Sequence, residues 1–104
     1  LRRLFNRLVA ALRRHGPLLV NANKTRISFQ ARMRFAGVQV QKDALLAGLT
    51  LTRPVKDPRF FRVVFYGPRA YGYFFRLTEP RQLDARLRQY LAESYRVGQQ
   101  EHLR

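Results

Sequence analysis

From Thr25 to Phe35 the side chains change character at every step. Ile27, Phe29, Ala31, Met33 and Phe35 are apolar, while Arg26, Ser28, Gln30, Arg32 and Arg34 are polar or charged. A period of two belongs to an extended chain, whose successive side chains point to opposite faces, so the stretch predicts one strand with a dry face and a wet face. Such a strand needs neighbours, and its flanks supply them. Leu18–Ala22 is a short apolar run closed by a turn at Asn23-Lys24. Ala36-Gly37 is expected to turn the chain into the alternating Val38–Gln41, and Lys42-Asp43 to turn it again. Ala44–Thr52 then reads as a strand with Leu45, Leu49 and Leu51 on one side and Leu46 on the other. Arg53–Arg59 holds Pro54 and Pro58 and reads as a loop. Phe60–Tyr66 and Tyr71–Thr78 are aromatic strands joined by a hairpin turn at Gly67–Ala70. In the first of them, Phe61, Val63 and Phe65 alternate with Phe60, Arg62, Val64 and Tyr66, and one of these two sets is expected in the core.

The ends of the chain follow a different period. Leu1, Leu4, Phe5, Leu8 and Leu12 recur every three or four residues and make one apolar stripe on a helix, which Gly16-Pro17 terminates. Leu83, Leu87, Tyr90, Leu91 and Tyr95 make the same stripe on a last helix. That helix is expected to start from Thr78 as N-cap, to carry an Asp84–Arg88 pair and to be closed by Gly98. Two one-sided helices and a one-sided sheet pack most economically with both helices on one face. The predicted fold is therefore α+β: an antiparallel meander of about five or six strands with an N-terminal and a C-terminal helix on the same side.

A chain of 104 residues with 46% hydrophobic content supplies one core, so residues 1–104 read as a single domain. The chain begins with Leu1 rather than Met, and we read it as part of a longer parent chain. Without cysteine there is no disulfide, thiolate nucleophile or Cys-type zinc site, which fits a reducing cytoplasm. No apolar run reaches the roughly 18 residues that cross a bilayer, and no membrane partner is expected.

Charge is what points to a partner. There are 21 Lys+Arg against 6 Asp+Glu, a formal net charge of +15. Only Lys24, Lys42 and Lys56 are lysines; the other cations are arginines, which hold phosphates and carboxylates bidentately and stack on flat rings. A GC-rich genome would explain arginine over lysine but not the shortage of acids.

Catalysis lacks its parts. Asp43, Asp57, Glu79, Asp84, Glu93 and Glu101 fall mostly at turns or on helix surfaces and form no converging pair. His15 follows a helix and His102 lies in the tail, so no metal site of ordinary spacing has its ligands. Ser28 and Ser94 lack a nucleophile elbow, and the glycines of Gly67–Gly72 are not followed by the Lys-Ser/Thr of a phosphate loop. We expect no enzyme, no cofactor and no metal.

Binding has better candidates. Arg26, Arg32 and Arg34 would stand roughly 6.7 Å apart or multiples of it along one wet face, a spacing suited to phosphates. On the aromatic hairpin, Arg62, Arg69 and Arg76 lie among rings of which Tyr66, Tyr71 and Tyr73 are the candidates for base stacking. The arginines on the helices, among them Arg3, Arg7, Arg14, Arg81, Arg86 and Arg88, read as a solvated surface. The expected partner is nucleic acid, held mainly by its phosphates; the alternative is an acidic protein or a second copy of the chain. The oligomeric state stays open.

Several stretches also resemble a known bacterial family. They are Lys24-Thr25-Arg26-Ile27-Ser28-Phe29, Phe35-Ala36-Gly37-Val38, the leucine-rich strand, and Arg76-Leu77-Thr78 leading into Leu83-Asp84 and Ala92-Glu93-Ser94-Tyr95. The family is an uncharacterised domain of unknown function found at the C-terminus of "predicted transport protein" chains and after zinc ribbons. The resemblance implies a fold and no active site. Some members resemble fusions to nuclease-type domains, which implies a nucleic-acid context by association.

Overall fold

The computed structural model, which describes residues 2–100, turns the N-terminal leucine stripe into helix α1, Arg2–Arg13, with Leu4, Leu8 and Leu12 buried and Phe5 packed beside them. Leu1, Glu101 and His102 lie outside the described residues. Gly16 ends the helix at φ +145°, a conformation L side chains rarely adopt, and a Cβ there would come 2.5 Å from the Tyr95 hydroxyl. Six strands follow: β1 Leu19–Ala22, β2 Arg26–Gln30, β3 Arg34–Val40, β4 Leu45–Leu51, β5 Arg62–Gly67 and β6 Ala70–Leu77. After a 3-10 turn at Pro80–Gln82, helix α2 runs over Ala85–Gly98.

All strand pairs are antiparallel, in the order β1-β2-β3-β4-β6-β5. The α+β architecture is therefore the expected one, with a single departure from a plain meander. The chain leaves β4, passes beyond the position of its next neighbour, and returns through the hairpin so that β6 is central and β5 forms an edge. Both helices cover one face. There, Phe29, Val38, Ala47, Leu49, Tyr73 and Phe75 meet the leucines of α1 and the Leu87, Tyr90, Leu91 and Tyr95 stripe of α2.

Four local expectations are corrected. The alternation from Thr25 to Phe35 is not one strand. The chain reverses at Ala31-Arg32-Met33, where the Ala31 amide donates to the Met33 carbonyl and the amides of Arg32 and Met33 both donate to the Gly98 carbonyl at 2.9 Å. A bulge between Phe29 and Gln30 on β2 and Arg34 and Ala36 on β3 then brings Phe35 back to the core, so the two-residue rhythm survives a turn it does not reveal. Gly37, expected at a turn, sits within β3 opposite Ser28 and Gly48. Finally, α2 takes its cap from Asp84, which accepts from the Leu87 amide, rather than from Thr78. Asp84 pairs with Arg59, and Arg88 donates instead to the Leu83 carbonyl.

The expectation about β5 also fails. Phe61, Val63, Phe65 and Tyr66 are each more than half exposed. The helices do not extend over this edge, and Phe60 from the preceding loop takes the available core space among Tyr73, Phe75 and Tyr90.

Candidate functional site

Strand pairing places the polar residues of the uncovered face in rows. One row runs Arg26, Gln39, Leu46, Arg76 across β2, β3, β4 and β6. The next runs Ser28, Gly37, Gly48, Phe74, Arg62 and reaches the β5 edge. A third carries Thr50, Gly72 and Val64. With no side chain at Gly37, Gly48 or Gly72, the middle of the face is low, and a groove of about 550 Å³ lies over it. Arg26, Arg34 and Arg62 line the groove together with Tyr66, Phe61 and Phe74. Arg76 stands on the same face beside the lining residue Leu46.

Glycine here is a packing requirement. A Cβ on Gly48 would approach the Phe74 ring to 2.9 Å, and one on Gly72 would approach the Tyr66 ring to 2.7 Å. Each ring therefore packs closely against a glycine of a neighbouring strand. Tyr66 shares the parity of Arg62 and Val64 on β5, which puts it on this face next to the register shift between Phe65 and Gly67. The Arg62 guanidinium stands 5.7 Å from the centre of the Phe74 ring, within cation–π range.

Four of the described acids are engaged elsewhere. Among the described residues, Arg53 pairs with Glu93, Arg59 with Asp57 and Asp84, and Arg81 with Glu79. None of the groove-lining residues is acidic, and no described ion pair involves Arg26, Arg34, Arg62 or Arg76. The perturbed carboxyls belong to the Arg59 cluster beside α2. Burial pushes the Asp57 carboxyl up, but the Arg59 amide and guanidinium, with the Tyr90 hydroxyl, outweigh it and hold the group below its ordinary value. Asp84 is lowered by its hydrogen bond from Arg59 and by the Leu87 amide.

The expected site residues divide accordingly. Arg26, Arg34, Arg62 and Tyr66 come together in the groove, and Arg76 adjoins it. Arg32 is exposed in the β2–β3 turn and Arg69 at the tip of the β5–β6 hairpin, and neither lines the groove. Tyr71 faces the helix side, against Phe65 and Tyr73, and is only partly buried. Tyr73 is removed from the site: it is 1% exposed, donating to the Arg53 carbonyl and accepting from the Val55 amide. The pairing explains the split, because Tyr71 and Tyr73 share the core-facing parity of β6 and Phe74 has the other. Phe74 and the floor glycines are what residue-by-residue reading missed. The available signal was parity: Gly48 and Gly72 fall on the wet side of strands whose alternate residues are leucine and tyrosine.

A second arginine cluster occupies the α1 surface, where Arg2, Arg3, Arg7, Arg14 and Arg88 border a shallow depression. It lies on the helix side of the sheet, away from the groove.

No helix among the described residues is long and apolar enough to cross a membrane. No curated protein and no solved structure matches the chain. A family does: the one described as a domain of unknown function, DUF5655, matches residues 1–98.

Proposed function

Because the chain belongs to the DUF5655 family of domains of unknown function, no activity comes to it from relatives, and we propose from the groove itself that it is a non-catalytic nucleic-acid-binding accessory domain. Its arginines hold phosphates without strong dependence on sequence. One observation carries the reading: Arg26, Arg34, Arg62 and Arg76 share one open face that has no acidic lining residue. Three other arginines are matched to carboxylates. On this face the cations thus stand apart from the carboxylates.

The test is a titration with short oligonucleotides over a range of salt. Four phosphate contacts predict a log–log slope of roughly −3.6 on duplex and roughly −2.8 on single strands, from about −0.9 and −0.7 per contact. Arg26→Gln should make the slope shallower by about one contact's worth. Absence of affinity for either form at low salt overturns the reading.

One observation favours a second reading, docking on an acidic partner protein. The β5 edge leaves Phe61, Val63 and Phe65 exposed beside Arg62, and an unpaired strand edge with apolar side chains is a template for another chain. On this reading Val63→Asp, which sets a carboxylate against the acidic strand, should abolish capture of an acidic β-strand peptide and leave oligonucleotide binding intact.

A further inference from the structure

Building on the polyanion reading, we infer that the groove takes unpaired bases, with Tyr66 and Phe74 as the platforms on which they stack. Arginines alone would serve a duplex or a single strand equally, since both present phosphates. The rings discriminate. An aromatic side chain on an open sheet face can offer a ring face, and only an unpaired base has a matching face to give, because duplex bases are covered by their neighbours.

Three independent features put these rings in that state. First, they pack against glycines: Phe74 against Gly48 and Tyr66 against Gly72, at distances that a methyl group would disrupt. Second, Tyr66 is 61% exposed although it is aromatic and sits in a sheet. Its side chain meets Gly72 and is otherwise largely in solvent. Third, cations stand at the rings, with Arg62 lying over the face of Phe74. Arg62 stands 5.7 Å from the Phe74 centre, and Arg26 and Arg34 line the far side of the same groove on β2 and β3. The exposed Arg62 side chain can swing aside to admit a base and then meet the flanking phosphate.

Fluorescence anisotropy with a labelled oligothymidylate and a duplex of equal length, at low salt, tests the inference on the full chain. The wild type should bind the single strand more tightly than the duplex. Tyr66→Leu and Phe74→Leu should each weaken single-strand binding about 5- to 150-fold. Both should leave the slope of affinity against salt unchanged, because no phosphate contact is lost. Tyr66→Phe keeps the ring and should bind as the wild type does. Tyr66 is mostly exposed, so its variants should keep the wild-type melting temperature, and that measurement separates lost stacking from lost fold. If the leucine variants bind normally, or duplex binds as well as single strand, while Arg26→Gln and Arg34→Gln still weaken binding, stacking is overturned and phosphate binding stands. If the wild type binds neither form, both readings fall together.

Discussion

Gly98 and Gly72 show how differently two glycines constrain this fold. A Cβ on Gly98 would run into the ring of Phe35, which is 2% exposed and wedged edge-on against Tyr95. The ring has nowhere to move, so Gly98→Ala should cost about 1–3 kcal/mol as an overpacking change, read by urea denaturation. Gly72 also meets a ring, but that ring is the exposed Tyr66, free to swing into solvent. Gly72→Ala should therefore stay within about 1 kcal/mol of wild type and register in single-strand affinity instead. Ser94 is a third case. It is fully buried, donates to the Phe35 carbonyl at 3.0 Å and accepts from the Thr50 amide at 3.2 Å, tying α2 to the bulged end of β3 and to β4. Ser94→Ala leaves both backbone groups without that partner and should cost about 1–3 kcal/mol in the same measurement. The serine is structural, and nothing in the local sequence around it distinguishes that role.

The start of α2 is held by a cluster whose members come from two separate segments. Arg59, in the loop before β5, donates to Asp57 at 3.2 Å and to both oxygens of Asp84, while Tyr90 donates to Asp57 at 3.3 Å. Both carboxyls sit below their ordinary value of 3.8. A carboxyl whose pKa is depressed by folding adds stability that is complete above its unfolded value and disappears as pH falls through its folded one. Acid should therefore begin to weaken the fold near pH 4 and do so progressively below it. Arg59→Ala should cost about 1–2 kcal/mol at neutral pH, a figure reduced for the solvent around Asp84, and should flatten the acid-side loss. Stability measured by denaturation from pH 7 to pH 3 checks both. An acid limb as steep in the variant as in the wild type would assign the loss to other carboxyls.

At the scale of the whole molecule, a net charge of +15 acts on stability and on binding in opposite directions. Self-repulsion opposes the compact state, and salt screens it over a Debye length of about 10 Å at 0.1 M. Raising salt from about 0.05 to 0.5 M should raise the melting temperature of the free domain. The same change should lower affinity for an oligonucleotide and shrink any stabilisation that the oligonucleotide confers. Thermal scans with and without oligonucleotide at both salt levels test the pair of effects. The arrangement of charge matters as much as its sum: one arginine group lies on the open sheet face and another along α1, with the core between them.

Much of this was legible in the chain. The helical stripes, the leucine strand, the hairpin and the one-sided packing follow from apolar periodicity, because burial enforces the same period on any sequence that adopts these elements. The turn at Ala31–Met33 was hidden, since a bulge restored the alternation on its far side. The strand order was hidden as well: whether β5 or β6 lies beside β4 depends on which hairpin strand better fills the core, and Tyr73 and Phe75 fill it from β6. That choice sets parity. It sends Tyr73 inward and Phe74 outward, leaves β5 exposed, and aligns glycines from three strands into one low floor. Sequence determined that arginine would crowd a wet face; only the pairing of distant strands decided which rings and which guanidiniums stand there together, because adjacency across a sheet is a long-range property that no local pattern encodes.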